Sequence, residues 1–428
     1  MLPSRISSSL RHNRLYLSYK RLKANIAINM YNNPAKDMFV IGITWTNGKT
    51  TTSFMIHHIF NSLIDKAFLI GTNEVKFWIE SEANTTKMTS PDASSLQSYL
   101  ALAKDKWCKI AVLEVASHGI TQQRFHGIDF DMAVLSNITE EHLDYHKTMD
   151  DYANTKKQLF TWVLKNSKPN KLAILPKDDK YGKKRIEELP FDRLMTYGIL
   201  GSGTLKAENI IYTLDNTTFD INYMGQLHPI TISMVGVHNV YNTLTAICSG
   251  LIIGLDIQQI IDCLTSFTPP LGRMEQLLNN GIHYFIDFAH TPDALEKTLS
   301  YLYSVKLSGR LILLTGAMGD RDRFKRPLMW KIANQYADII VLADEDPGEE
   351  PRLQIIQEVR AGIDRVEGDN FFIIPDRSLA IKFISEIAQP DDLVMLAGKW
   401  HERVMCIPWR KIPWNEREIL EWYLGIKN

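Results

Sequence analysis

The sequence predicts an α/β protein of two lobes, and three observations carry that expectation. Short apolar runs alternate with helix-compatible stretches along most of the chain. One run, Val40-Ile41-Gly42-Ile43, leads into a turn that closes on Gly48-Lys49-Thr50 and continues as a helical pattern. The segment Thr268-Pro269-Pro270-Leu271-Gly272 then reads as a linker between two series of runs.

Taken in order, residues 1–36 hold Arg5, Arg11, Arg14, Lys20, Arg21, Lys23 and Lys36 without an acid, together with Ser7-Ser8-Ser9. That composition suits an organelle-targeting peptide; the plainer reading is a short basic, partly helical lead-in to the first strand. Runs at 38–43, 110–116, 131–136 and 172–175 alternate with helical stretches near 50–64, 93–104 and 150–165, which predicts a mostly parallel sheet. A β-rich stretch follows at 205–235, and helices are expected at 238–253 and 256–266. Beyond the linker, runs at 284–288, 311–315, 339–342, 371–374 and 393–396 predict a second α/β unit of Rossmann-like layout. The expected domains are a short basic segment at 1–36, a central nucleotide-binding domain at 37–268 and a C-terminal domain at 269–428. Two such lobes on a Pro-Pro hinge suggest a cleft that closes over its substrates.

Composition narrows the function classes. A chain of 428 residues with 45% hydrophobic and 23% charged residues is long enough for two or three cores and ordinary for a soluble protein. A net charge of −1 argues against a nucleic-acid partner held by bulk electrostatics. Cys108, Cys248, Cys263 and Cys406 show no metal-type spacing, and no apolar run reaches membrane-spanning length. The expectation is a cytoplasmic monomer acting on small molecules, with no membrane or nucleic acid involved.

The Gly48-Lys49-Thr50 turn reads as a phosphate-binding loop. Its backbone N–H groups and the following helix N-terminus would face a polyphosphate, Lys49 would reach the terminal phosphates, and the Thr50 hydroxyl would hold Mg²⁺. Thr46, Asn47, Gly48, Lys49, Thr50 and Thr51 form the expected ATP-contacting set. Strict spacing departs at one place, since the general pattern wants glycine where Ile43 sits.

Further clusters follow in a fixed order. They are Thr89-Ser90-Pro91-Asp92, Leu113-Glu114-Val115-Ala116-Ser117-His118-Gly119, the run from Asn137 to His146, and Tyr152-Ala153-Asn154-Thr155-Lys156. Beyond these come His238-Asn239-Val240-Tyr241-Asn242, Gly272-Arg273-Met274-Glu275, Asp287-Phe288-Ala289-His290-Thr291-Pro292-Asp293-Ala294, Gly319-Asp320-Arg321-Asp322 and Gly398-Lys399-Trp400-His401-Glu402. From about residue 38 to 418 the chain resembles the Mur ligases, above all the branch that adds the third stem-peptide residue.

That resemblance implies ATP-driven amide formation: a carboxylate of UDP-muramyl-dipeptide is phosphorylated, and the acyl phosphate is attacked by the amine of a diamino acid. It implies catalytic roles for Lys49, Glu114, His142 and Lys156, with Thr50, Glu114, His142 and a carbamylated Lys156 on Mg²⁺. Asn239, Arg273 and Asp287 would grip ATP from across the domain junction. Thr89, Ser90, Ser117 and Arg124 would line the muramyl-dipeptide pocket, while Arg321, Asp346, Gly398 and Glu402 would face the diamino acid. The plainer readings are a solvated helix-face lysine for Lys156, a structural histidine for His142, and ordinary helix-end, surface and strand-end residues for Asn239, Arg273 and Asp287.

Four departures bear on this expectation. Family members have glycine at the positions of Trp45, Trp330 and Trp400, with Trp78 and Trp107 set beside them as further cases; an indole at 45 should obstruct the phosphate loop. Nine tryptophans with 23 glycines in 428 residues fit a chain in which UGA codons for glycine have been read as tryptophan. Family members also carry a separate N-terminal domain for the uridine nucleotide, whereas only residues 1–36 precede the first run here, as a reduced version at most. Asp344-Glu345-Asp346-Pro347-Gly348 lacks the arginine of the diaminopimelate-adding enzymes, and the acids at 344–346, 349 and 350 would favour the ammonium of lysine or ornithine. Ala116 stands where serine is common. Two alternatives stay open: a non-catalytic scaffold, if the tryptophans are genuine, and a folylpolyglutamate-type ligase.

Overall fold

Strands buried on both faces need helices on both sides, and this decides the architecture of each half of the chain. The computed structural model describes residues 14–426 apart from 47, 73, 87, 140–142, 180, 182–185, 202, 271–273, 320–322, 324, 361–363 and 400–403. Asn47, His142, Arg273, Arg321, Glu402 and Trp400 therefore lie outside the described residues. By internal contacts the chain separates into two compact units. The first comprises Met1–Ile211, Thr217–Ser233 and His238–Thr268, and the second Tyr212–Asn216, Met234–Val237 and Pro269–Asn428.

The first unit holds β1 (Phe39–Thr44), β2 (Ala67–Ile70), β3 (Glu74–Phe77), β4 (Glu80–Ala83), β5 (Ile110–Glu114), β6 (Met132–Leu135), β7 (Leu172–Pro176), β8 (Arg193–Gly198), β9 (Leu205–Tyr212), β10 (Thr217–Tyr223) and β11 (Gln226–Ile232). They form one sheet in the order β11-β10-β9-β8-β7-β6-β1-β5-β2-β3-β4. From β8 to β2 the neighbours run parallel, and β3 and β4 add an antiparallel edge. β1 lies between β5 and β6; the connection after it runs to β2 on one side and the connection after β5 runs to β6 on the other, so its carboxyl end lies at a switch point of the kind where α/β sheets take ligands. The expected central runs correspond to β1, β5, β6 and β7. β2, β3, β4 and β8 had no counterpart in the reading of the sequence. β2 has four residues, β4 is exposed throughout and β8 starts on an exposed arginine, so none shows a long apolar run.

The basic lead-in is helical over Arg14–Met30, with Ala24 and Ala27 turned into the protein. Among the described residues no helix is long and apolar enough to cross a membrane.

The second unit holds β12 (Glu275–Asn279), β13 (Ile282–Asp287), β14 (Leu311–Thr315), β15 (Ile339–Leu342), β16 (Phe371–Ile373) and β17 (Leu393–Ala397), in the order β12-β13-β17-β14-β15-β16. Only β12 pairs antiparallel, so the Rossmann-like expectation for this half is met by five parallel strands. Their side chains alternate between two separate apolar cores, one on each face, and a small hairpin of β18 (Val404–Ile407) and β19 (Arg410–Pro413) follows.

Candidate active site

The loop between β1 and the helix Lys49–Leu63 has the backbone that its sequence requires. Gly48 caps the helix at φ +96°, and a Cβ there would stand 2.6 Å from Asn242 Oδ1. Only glycine fits. Asn242 Nδ2 donates to Asn239 Oδ1 at 3.0 Å, so Asn239 is one side chain removed from the loop within the first unit. Lys49 Nζ donates to the carbonyls of Trp45 and Thr46 at 2.9 and 2.8 Å, which holds the ammonium over its own loop. Thr46 Oγ1 accepts from the Thr139 amide at 3.0 Å and lies 3.3 Å from the Tyr152 hydroxyl. Thr50 and Thr51 are buried in the first helical turn. The Trp45 indole is fully buried.

Glu114 ends β5 in register with Ile43, beside the carboxyl end of β1. Its Oε1 accepts from Ser53 at 3.0 Å and its Oε2 from Thr72 at 3.0 Å, while the Thr72 oxygen is 3.0 Å from that of Thr89. The two hydroxyls on the carboxylate come from different segments, one on each oxygen, so its orientation is well determined. Gly71 makes room for it, since a Cβ there would be 2.6 Å from Glu114 Oε1.

Lys156 is not a solvated helix-face lysine. It is 1% exposed, its Nζ lies 3.5 Å from Thr44 Oγ1, and it sits 4.6 Å from the centre of the Tyr152 ring. A buried ammonium is costly unless its surroundings compensate, and here the ring face does part of that. Lys156 and Glu114 thus flank the end of β1, with Lys49 and Thr50 across the loop.

The residues expected to hold the muramyl-dipeptide divide by role. Ser90 Oγ donates to the Glu114 carbonyl at 2.9 Å and accepts from the Ala116 amide at 2.9 Å, so it shapes the turn after β5. Ser117 Oγ and His146 Nε2 are 2.9 Å apart, and His118 packs on Tyr145. Arg124 donates to the Ser90 carbonyl and to Gln122 Oε1, and burial pulls its pKa below the usual arginine range. Ser53, Thr72 and Thr44 were not singled out from the sequence; a lone hydroxyl has no spacing signature.

In the second unit, Asp287 ends β13. Its Oδ2 accepts from the Met274 amide at 2.8 Å and its carbonyl from the Gly398 amide at 3.1 Å. Gly398 has φ +95°, and a Cβ there would lie 2.5 Å from Glu345 Oε2. Asp346 Oδ1 takes Lys399 Nζ and the Cys406 amide, each at 2.8 Å. Asp344 pairs with Arg352 at 2.6 Å, and Glu350 with the fully buried Arg326 at 2.7 Å. Burial raises the Asp344 pKa, with Arg352 opposing. Three of the five acids expected to attract an ammonium, Asp344, Asp346 and Glu350, are thus paired within the protein.

Two family models match the chain: the Mur ligase middle domain over residues 43–250, and the Mur ligase, glutamate ligase domain over residues 272–400. The chain is 35% identical, over 93% of its length and 80% of the relative's, to a UDP-N-acetylmuramoyl-L-alanyl-D-glutamate–2,6-diaminopimelate ligase of Caldanaerobacter subterraneus subsp. tengcongensis. A solved structure of a ligase with that name superposes with TM-score 0.64 at 30% identity, covering 93% of this chain and 80% of that one. The folylpolyglutamate synthase of Mycobacterium tuberculosis, complexed with ADP and AMPPCP, gives TM-score 0.70 at 14% identity, with 89% and 92% covered, and shares the fold alone. The chain belongs to the Mur ligase family. Within it, the chain is an ATP-dependent, ADP-forming acid–amino-acid ligase.

Proposed function

We propose that the chain extends UDP-N-acetylmuramoyl-L-alanyl-D-glutamate by 2,6-diaminopimelate, as the relatives with that name do. The carrying observation is the gathering of Lys49, Thr50, Glu114 and Lys156 around the carboxyl end of β1, next to a helix N-terminus. In the reaction, a substrate carboxylate oxygen bonds to the γ-phosphorus of ATP and ADP leaves. The amine then bonds to the acyl carbon, phosphate leaves, and the nitrogen loses a proton. Lys49 and the helix N-terminus neutralise charge that builds on the phosphoryl oxygens. Ser53 and Thr72 keep Glu114 aimed, and Ser90 holds the turn that carries Ser117.

The donor chemistry near the loop fits Mg²⁺, a hard cation that takes oxygen ligands. Thr50, Glu114, His142 and a carbamate on Lys156 would hold it, and the ion supplies charge neutralisation. Asn239, Arg273 and Asp287 are the proposed nucleotide contacts. Thr89, Ser90, Ser117 and Arg124 are proposed for the muramyl-dipeptide, and Arg321, Asp346, Gly398 and Glu402 for the amino acid. We place the protein in the cytoplasm as a monomer.

The test measures phosphate release from ATP and Mg²⁺ with UDP-muramyl-dipeptide and, in turn, diaminopimelate, lysine and ornithine. Release that needs both the dipeptide and diaminopimelate supports the proposal. Gly348 favours a second reading, because an arginine able to grip the second carboxylate is missing there. Turnover with lysine or ornithine but not diaminopimelate would establish it, and release with none of the three would leave a scaffold protein.

A further inference from the structure

We infer that the protein made in its own cells carries glycine, not tryptophan, at positions 45, 78, 107, 330, 400 and 409, because UGA codons there are decoded as glycine. The nine tryptophans fall into two physical classes.

Trp78, Trp107 and Trp409 have φ of +59°, +65° and +66°. A Cβ crowds the backbone in this region, so bulky residues rarely enter it. Of the twelve non-glycine residues with positive φ among those described, three are tryptophan, while five are asparagine or aspartate, the types that tolerate it.

Each of the three occupies a place where local structure favours glycine. Trp107 follows the helix Ala93–Asp105; its amide donates to the Lys104 carbonyl and that of Cys108 to the Ala103 carbonyl, both at 2.9 Å. This double bond pattern ends a helix on a left-handed residue, usually glycine. The same pattern recurs with Gly254 and Gly425 in that role, and with Asn32 and Gln123. Pro408-Trp409 is the two-residue connection of β18 to β19, where proline followed by a positive-φ residue defines a type II turn and its glycine. Trp78 opens the two-residue connection of β3 to β4, where positive φ at the first loop position favours glycine, though Met224 takes the same place between β10 and β11.

Trp45 and Trp330 fail differently. Both are essentially fully buried, and the indole N–H of each has no hydrogen-bond partner among the described residues. Buried tryptophans ordinarily find one. Trp45 sits in the phosphate loop, and Trp330 lies mid-helix in Lys325–Tyr336, in the core shared with the helix Pro292–Val305. Position 400 lies outside the described residues and enters only on the expectation from the sequence that family members carry glycine there.

The other three are ordinary tryptophans. Trp162 packs on Phe125 and Phe130, Trp414 donates its N–H to Glu416 Oε2 at 2.8 Å, and Trp422 packs on Tyr423. Tryptophan is the residue these sites use.

The test is peptide mass spectrometry of the protein isolated from the cells that encode it, with the gene read alongside. Glycine at 45, 78, 107, 330, 400 and 409, with tryptophan at 162, 414 and 422, is expected, and UGA should fall at the first six positions only. Tryptophan at any of the six, UGG codons there, or glycine at any of the three overturns the inference. A second measurement compares two recombinant chains: the six-fold Trp→Gly protein should melt at a higher temperature than the tryptophan form, and an equal or lower midpoint overturns the structural basis. Neither readout depends on ligase activity, so failure here and failure of the proposed function are distinguishable.

Discussion

At the scale of single residues, the site rests on side chains whose neighbours leave them little freedom. Gly48→Ala would push a methyl to within 2.6 Å of Asn242 Oδ1 at φ +96°. We expect a loss of about 1–3 kcal/mol in stability and weaker ATP binding. Asn242→Ala in that background should restore the part due to the clash and leave the part due to φ. Identical melting points for the single and double variants would show that the contact contributes nothing. Lys156→Ala should reduce turnover by roughly 10² or more while the far-ultraviolet spectrum stays unchanged, with partial rescue by short carboxylates if a carbamate is the working group. Unchanged turnover would remove Lys156 from the site. Lys49, Thr50 and Glu114 were legible in the sequence because each belongs to a strand-end motif. The hydroxyls on Glu114 were not, since Ser53 and Thr72 lie 61 and 42 residues from it and belong to residue types found everywhere.

At the scale of elements, the parallel strands were mostly legible where burial on both faces left an unbroken apolar run, as at β1, β5 and β14. The exposed edge strand β4 was not, and β2, a short run of four buried apolar residues, was missed although its pattern is the same. The acid run at 344–350 illustrates the same limit: its charges were visible, and Arg352, which pairs with Asp344, follows it directly, but Lys399 and Arg326, which pair with Asp346 and Glu350, come from distant segments. A buried ion pair also ties two helices together. Arg377, in the helix Arg377–Ile387, meets Glu416, in the helix Glu416–Tyr423, at 2.6 Å, and both side chains are almost wholly buried. Arg377→Ala leaves a buried carboxylate uncompensated and should cost about 3–5 kcal/mol, read as a shift in the urea midpoint. Replacing both partners by apolar residues of similar size, Arg377→Met with Glu416→Leu, should cost clearly less. A double variant as unstable as the single one would refute this account.

At the scale of the whole molecule, stability should depend on mild acid most strongly through His57, with His58 and His126 shifted by burial in the same direction. His57 lies buried in the helix Lys49–Leu63, with its Nε2 3.0 Å from the Ala67 carbonyl, and burial lowers its pKa to about 4. Its folded value lies below the unfolded one, so the contribution is complete above about pH 6.5 and is lost as pH falls toward 4. The difference is on the order of 3 kcal/mol. His57→Gln should flatten the fall in melting temperature between pH 7 and 4.5, and an equally steep fall in that variant would assign the acid sensitivity to other groups. The left-handed turns at 78, 107 and 409 carry a different consequence. A gene whose backbone bends depend on a private meaning of one codon cannot be borrowed intact: any recipient with ordinary decoding either stops at the first such codon or, if it inserts an indole there, builds a misshapen enzyme. On the inferred decoding, the left-handed turns at 78, 107 and 409 are where an ordinary host's indoles would strain the backbone.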